Sequence, residues 1–163
     1  MSALITGTVP EAANPLQWRL STQAGGTPGQ SDRISYASWA AAIGGPAASL
    51  DSDGDGVINL TEYALGSSAT AGSSLPAMAA DVEWVEGIAY SRITFVRRAG
   101  ADDAVVLPQW STQLQNWDNP PISFQRITVT SQPDGTVQET FRSTLPLAPQ
   151  TNAFFRLKIM SVP

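Results

Sequence analysis

Residues 51–62 read DSDGDGVINLTE, and this stretch decides how the middle of the chain folds. Oxygen-bearing side chains recur through it: Asp51, Asp53 and Asp55 stand at positions 1, 3 and 5, Asn59 at 9 and Glu62 at 12. Four carboxylates this close together repel one another strongly unless a cation lies between them. Calcium is a hard cation that takes about six to eight oxygen ligands. The spacing therefore predicts a calcium site rather than an acidic turn that binds nothing.

The same spacing matches the twelve-residue loop of the EF-hand at every position. In that loop Asn59 binds the ion directly or through water, and Glu62 can supply two oxygens. Gly56 stands at position 6, where the loop turns sharply and a side chain is expected to obstruct it. Ile58 at position 8 is expected to point into the core. The predicted ligands of a Ca²⁺ cofactor are Asp51, Asp53, Asp55, the backbone carbonyl of Val57, Asn59 and Glu62.

Composition excludes several classes of function. With no histidine and no cysteine among 163 residues, a Ser-His-Asp triad, a Cys-His nucleophile, a disulfide and an ordinary zinc, haem or iron-sulfur site are all ruled out. Lysine and arginine total 9 against 14 acids, a net charge of -5 with no basic stripe, so we expect no nucleic-acid partner. No apolar run approaches the ~20 residues needed to span a bilayer.

The composition favours an extracellular or cell-surface protein. Only 14% of the residues are charged, and Ser, Thr, Gly, Ala and Pro are abundant, which is typical of secreted bacterial surface proteins. Calcium outside cells would keep a modest site filled and could replace disulfides as a staple. The start, MSALITGTVPEAANP, lacks the charged head and long apolar segment of a signal peptide. We therefore expect a mature or excised segment of a secreted protein, with a cytosolic protein as the alternative.

The chain is predicted to have three parts. Residues 1–33, rich in proline and glycine, form an extended N-terminal arm with short strands. Residues 34–75 form an EF-hand-like helix-loop-helix, with helices at 35–43 and 59–65 and Gly66 as the C-terminal cap of the second helix. Residues 76–163 form an antiparallel β-sandwich. The predicted fold class is therefore mainly β.

Six strands are predicted in the third part, each rich in Val, Ile, Thr or aromatic residues. Pro133, Asp134 and Gly135 mark a turn between two of them, which predicts a hairpin. The predicted strands are 82–85, 88–97, 104–111, 122–131, 136–144 and 154–162.

The N-terminal arm also contains a predicted assembly strand. A β-rich run at the start of the chain, tethered by a Gly/Pro-rich stretch, needs a partner for its backbone groups. Pairing within the chain is slightly favoured, but addition to the next subunit would be head-to-tail and would generate a filament. The strand consists of Ala3, Leu4, Ile5, Thr6, Gly7, Thr8 and Val9.

Other candidate sites are weaker. Glu83 with Glu86, and Asp102 with Asp103, are interpreted as solvated loop residues rather than glycosidase pairs. Trp84 and Trp110 are candidate platforms for stacking on sugar rings, although packing in a core or interface is the favoured interpretation. Trp39 is expected in the core, and Arg97 and Arg98 are interpreted as surface charges.

The order of these motifs resembles the C-terminal region of large secreted proteins common in Verrucomicrobia and Planctomycetes. The matching pieces are Trp39, residues 51–66, STQLQNW at 111–117 and FFRLK at 154–158. Residues 18–32 similarly resemble the closing segment of lamin-tail-like β domains. The loop is also similar to those of dockerins and thrombospondin type 3 repeats, but both use repeated loops and this chain has one. The resemblance implies an extracellular, non-catalytic module at the end of a longer polypeptide.

These observations predict a calcium-binding extracellular structural or interaction module that is not an enzyme. Its expected partners are the calcium ion, and copies of itself head-to-tail or other surface proteins. The first alternative is a carbohydrate-binding module of a secreted protein, with a polysaccharide as partner. A cytosolic EF-hand sensor is a more distant alternative, because a sensor needs paired EF-hands and a methionine-rich groove, and this chain has one loop and 3 methionines.

Overall fold

The computed structural model describes residues 3–5, 18–20, 32–111, 113–117, 124–147 and 154–162. The fold is mainly β, with two short helices, α1 (Tyr36–Ala41) and α2 (Asn59–Leu65). The strands are β1 (Ala3–Ile5), β2 (Trp18–Leu20), β3 (Met78–Val85), β4 (Ile88–Arg98), β5 (Ala104–Ser111), β6 (Phe124–Ser131), β7 (Thr136–Ser143) and β8 (Phe154–Ser161).

All strand pairs in the described residues are antiparallel. A four-stranded sheet has the order β3-β4-β7-β6, and a two-stranded sheet pairs β5 with β8. The β6–β7 turn forms where the Pro-Asp-Gly sequence predicts it, because the Asp134 carboxylate accepts hydrogen bonds from the backbone N–H of Thr136 at 3.0 Å and from its hydroxyl at 2.6 Å. A third sheet consists of β1 and β2.

The period-two pattern of the strands decides which side chains reach the core. On β4, Ser91, Ile93 and Phe95 are buried, whereas the residues between them are more exposed. Phe95 stacks on Phe141 of β7 with ring centroids 5.6 Å apart. One face of this sheet therefore carries the apolar side chains.

Both sheets and α2 contribute to one hydrophobic core. Tyr63 of α2 is fully buried in it. The buried members are Tyr63, Ala64, Leu65, Ile93, Phe95, Ala101, Ala104, Val106, Phe124 and Phe141, and Phe155, Leu157 and Ile159 of β8 pack against them. The helix that follows the acidic loop is therefore built into the core of the β-rich part.

The predicted strands of residues 76–163 are observed, with changes at their ends. β5 has the predicted bounds, whereas β3 begins at Met78 rather than at Val82, because the long strand β4 pairs with it as far as Phe95. Residues 122–123 lie outside the described residues. The division of the chain into three parts stays a prediction.

The N-terminal strand falls partly within the described residues. Ala3–Ile5 forms β1 and pairs with Trp18–Leu20 of the same chain, which is the within-chain pairing that the sequence slightly favours. Residues 6–9 lie outside the described residues. Addition of this strand to a neighbouring chain stays a prediction, which light scattering of the protein with and without residues 1–10 would check.

The helices in the described part of the chain are six and seven residues long, so none of them could cross a membrane.

Candidate metal centre

The acidic loop is held between α1 and α2 by backbone hydrogen bonds that join its two ends. The Asn59 N–H donates to the Leu50 carbonyl at 2.7 Å, and the Leu60 N–H donates to the Ala48 carbonyl at 3.0 Å. α1 begins at a capping serine, because the Ser35 hydroxyl accepts from the Ser38 N–H at 3.1 Å. The two ends of the loop are therefore joined by hydrogen bonds of the protein itself.

The three aspartates of the loop come together. Asp51, Asp53 and Asp55 each offer a carboxylate oxygen, and these oxygens lie within 4.8 Å of one another. Asp51 accepts hydrogen bonds from the N–H groups of Gly54 at 2.8 Å and Gly56 at 2.9 Å, and the bond from Gly56 is the main reason why its pKa is lowered. This group of carboxylates could hold a metal ion.

Two of the predicted ligands lie on α2 and are fully buried. Asn59 and Glu62 are both 0% exposed. The Asn59 Nδ2 donates to the Ala47 carbonyl at 2.8 Å, which fixes the amide and leaves Oδ1 free. Burial, the largest cause, and the charges of Asp53, Asp55 and Asp51 together raise the pKa of Glu62 from 4.5 to about 7. The carboxylate of Glu62 is therefore electrostatically coupled to all three aspartates.

Unsatisfied oxygens are concentrated at this site. Among the described residues, nine buried side-chain polar atoms have no hydrogen-bond partner, and six of them belong here. Buried polar atoms in native proteins are nearly always paired, so a cluster of unpaired acceptors needs a ligand. The six atoms are both carboxylate oxygens of Asp53 and of Glu62, Oδ2 of Asp55 and Oδ1 of Asn59. Every one is an acceptor, so the cluster could hold a hard cation and offers nothing to an anion.

Two details of the loop prediction are wrong. Gly56 has a φ of 92°, and a Cβ there would meet no atom within 4 Å. Glycine is therefore needed for its left-handed backbone, not because a side chain would be obstructed. Ile58 is 41% exposed and does not point into the core. The ligand role of the Val57 carbonyl stays a prediction.

Arg98 contradicts its interpretation as a surface charge. Its Nε donates to the carbonyl of Tyr63 at 3.0 Å, and burial lowers its pKa. This contact satisfies a carbonyl in the last turn of α2. The helix ends at Gly66 with φ 81°, as predicted for its cap. An arginine at the end of a strand, opposite a short helix, carries no sequence signal that would have revealed this contact.

Asp102 and Asp103 are also more than solvated loop residues. Asp103 accepts hydrogen bonds from the Tyr36 N–H at 2.8 Å and from the Tyr63 hydroxyl, which also donates to the Ile34 carbonyl. Asp102 forms an ion pair with Arg33 at 3.2 Å. The turn between β4 and β5 therefore anchors both helices.

The other pair of acids lies at the end of β3 and in the turn that follows it. Glu83 lies on β3, 3.8 Å from the guanidinium of Arg142, and Glu86 occupies the turn before β4 with φ 51°.

The two candidate sugar platforms differ. Trp84 on β3 is 71% exposed, as a stacking platform requires. Trp110 on β5 is half-buried and packs against the core, which is the packing that the sequence favours, and its use as a platform stays a prediction. Trp39 packs against the core as predicted. Trp117 lies against Arg156, whose guanidinium carbon is 4.2 Å from the indole centroid.

The chain matches no protein-family model, no curated protein and no solved structure.

Proposed function

We propose that this chain is a non-catalytic, calcium-stabilised module, in which α1, the acidic loop and α2 act as one EF-hand-like unit on a β-sandwich. The observation that carries the proposal is the set of six buried oxygens without hydrogen-bond partners around Asp53 and Glu62. The sandwich is supported by the shared core of the two sheets. The ion would be held by Asp51, Asp53, Asp55, the Val57 carbonyl, Asn59 and Glu62.

Calcium suits this set of ligands better than other common ions. All the side-chain donors are oxygens, which favours calcium, magnesium or manganese over zinc, copper or iron. Magnesium keeps several water molecules and demands near-octahedral geometry, whereas calcium accepts many protein oxygens in a flexible arrangement. A site with this many buried acceptors therefore favours calcium.

We also propose an extracellular location, which suits a calcium-stabilised module. Extracellular calcium modules bind at dissociation constants of about 10⁻⁴ to 10⁻³ M, and calcium outside cells keeps such sites filled. The absence of cysteine means that no disulfide stabilises the chain, so a bound ion would take over that task. The proposed biological role is structural: the ion fixes α2, and α2 completes the core of a surface module.

The test is calcium titration combined with thermal unfolding. Calcium at about 100 times its dissociation constant should stabilise the protein by about 2.7 kcal/mol relative to protein in chelator. Asp53→Asn should weaken binding. Asp81→Asn is the matched control, because Asp81 lies on β3, where it pairs with the guanidinium of Arg92 at 2.7 Å. Identical melting curves with calcium and with chelator would refute the proposal.

A carbohydrate-binding module is the second candidate, and the exposure of Trp84 is the observation that favours it. Val82, on the same face of β3, is also exposed, so the indole stands on an open apolar strip. Glycan-array binding that is lost in Trp84→Ala and kept in Trp110→Ala would support this function. If no glycan on the array binds, the carbohydrate-binding function is refuted and the calcium-stabilised module is the remaining proposal.

A further inference from the structure

The chain segment that follows α2 is anchored where it leaves the helix. Gly66 ends α2, and a Cβ at this position would lie 2.8 Å from Cγ2 of Thr136 on β7. Ser67 and Ala69 are buried directly after it. The backbone therefore leaves the helix pressed against the β-rich part, and its direction is fixed.

Residues 68–74, which we name the cover segment, fold into a small closed loop. The Ser68 N–H donates to the hydroxyl of Ser74 at 3.1 Å, and the Ser74 N–H donates to the carbonyl of Ala71 at 2.8 Å. The hydroxyls of Ser68 and Thr70 are 3.2 Å apart. These bonds give the cover segment a shape of its own, although it contains no helix or strand.

Gly72 brings the cover segment against the acidic loop. A Cβ at Gly72 would lie 3.4 Å from Cβ of Asp55, 3.6 Å from the backbone carbonyl oxygen of Asp53 and 4.0 Å from the carboxyl carbon of Asp53. The cover segment therefore touches the two aspartates that carry three of the six unpaired oxygens.

The carboxylates of the loop are shielded although the loop itself is not. Ser52, Gly54 and Gly56 are exposed, but both oxygens of Asp53 and Oδ2 of Asp55 have almost no accessible surface. Gly72, which lies outside the loop, is next to these two aspartates and contributes to the shielding.

We propose that the cover segment closes the outer side of the cation site and that Gly72 controls how fast the ion leaves. This inference rests on the proposed calcium function and adds a positioning residue that lies outside the twelve-residue loop. An ion bound between the aspartates and Glu62 would be shielded by the cover segment on the side of Asp53 and Asp55. Release of the ion past these two residues is therefore slower while the cover segment is in place.

The limited space around Gly72, and not its backbone conformation, explains why this residue is a glycine. The φ of Gly72 lies outside the left-handed region, so the backbone there accepts any residue. A methyl group would meet Asp55 at ordinary contact distance, and a larger side chain would have to push the cover segment or Asp53 aside. The requirement is therefore graded by side-chain size.

The experiment measures calcium dissociation by stopped-flow mixing of the calcium-loaded protein with a fluorescent chelator. Gly72→Leu should release calcium about 10- to 100-fold faster than the unchanged protein. Gly72→Ala should stay within about threefold. Ala71→Leu is the matched control, because it adds a similar side chain to an exposed neighbouring position and should leave the rate unchanged.

The outcomes separate this inference from the calcium function. Calcium binding by the unchanged protein, with equal dissociation rates for Gly72→Leu and Ala71→Leu, would overturn the cover and leave the calcium function intact. No calcium binding by the unchanged protein would overturn both. If Gly72→Leu does not fold, the double variant Ser68→Ala/Ser74→Ala, which loosens the cover segment without adding bulk, should also speed release, and an unchanged rate there would refute the inference.

Discussion

Glu139 and Glu62 are both buried carboxylates, but the two regions that contain them treat the charge differently. In the β region (residues 78–161), Glu139 of β7 pairs with the guanidinium of Arg126 on β6 at 3.4 Å. In the helix-loop region (residues 35–66), Glu62 is fully buried, accepts no hydrogen bond from the described residues and faces three aspartates. Glu139 therefore has a partner of opposite charge within the β region, whereas Glu62 has no hydrogen-bond partner among the described residues.

The comparison teaches where each region gets its stability. The β region has paired strands and a stacked pair of phenylalanines, so burial and hydrogen bonds hold it together. Helices as short as α1 and α2 are marginal on their own. Their positions depend on contacts with the β region and, in our proposal, on calcium. The calcium-free protein should therefore keep its sheets and lose order around the loop.

The largest expected effect comes from a core substitution in the β region. Phe95→Ala removes a fully buried ring that stacks on Phe141, and it should lower the free energy of unfolding by about 3–5 kcal/mol. The loss should be the same in calcium and in chelator, because Phe95 lies on β4 and all the predicted ligands lie within residues 51–62. Urea unfolding under both conditions measures this. A loss that differs strongly between the two conditions would show that the regions are not separable.

Glu62→Gln should have opposite effects in the two calcium states. The amide has nearly the same shape but no charge, so calcium binding should become too weak for the ion-dependent stabilisation of about 2.7 kcal/mol to remain. In chelator at high pH the variant should be more stable than the unchanged protein, because a buried, repelled charge is gone. Thermal unfolding in calcium and in chelator tests both effects. A Glu62→Gln variant that is less stable than the unchanged protein in both buffers would contradict the prediction.

Tyr63→Phe tests the link between the two regions. The Tyr63 hydroxyl reaches Asp103 and the carbonyl of Ile34, and its loss leaves buried acceptors without this donor. The expected cost is about 1–3 kcal/mol in either calcium state. Tyr90→Phe on β4 is the matched control and should cost less than about 0.5 kcal/mol. Equal costs for the two variants would mean that the hydroxyl does not anchor α2.

The smallest expected effect is a pH dependence that has opposite signs in the two states. Because the pKa of Glu62 is raised from 4.5 to about 7 in the folded, calcium-free protein, this group binds more protons folded than unfolded between these values. Its contribution to stability without calcium therefore falls as the pH rises through about 7. Calcium needs the ionised carboxylate, so its affinity should fall as the pH drops below about 7.

Calorimetric titration on both sides of pH 7 measures this dependence, together with up to about one proton released for each ion bound at the lower pH. Asp81→Asn should keep the full dependence, because Asp81 pairs with Arg92 on β3. An affinity that does not change with pH would place Glu62 outside the cation site.

Local sequence signals predicted the regular elements and much of the candidate site. β5 and α2 have the predicted bounds, and the β6–β7 turn lies where Pro-Asp-Gly places it. Each of these rests on a pattern of alternation, capping or turn residues within about ten positions. The loop spacing likewise predicts that Asp51, Asp53 and Asp55 lie together, and their carboxylate oxygens are within 4.8 Å of one another.

The contacts that the sequence did not reveal join residues far apart in the chain. Arg98 reaches a carbonyl 35 positions away, and Asp103 binds a backbone N–H 67 positions away. Gly72 has no local signal, because its role depends on how the chain turns back after α2. The loop pattern predicts Ile58 in the core, but the pattern does not contain what packs beside this residue, and Ile58 is 41% exposed. Tertiary packing decides each of these positions, and local patterns do not contain it.

The order of residues on α2 also constrains how this chain can vary in length. Glu62 and Tyr63 are neighbours, but Glu62 faces the aspartates and Tyr63 binds Asp103. Successive residues of an α-helix are rotated by about 100°, so inserting or deleting one residue between Asn59 and Glu62 would turn both side chains by that angle relative to the loop, and the two contacts could not both be kept. Insertions and deletions should accordingly be tolerated at residues 75–76, between the cover segment and β3, and rejected between residues 48 and 66.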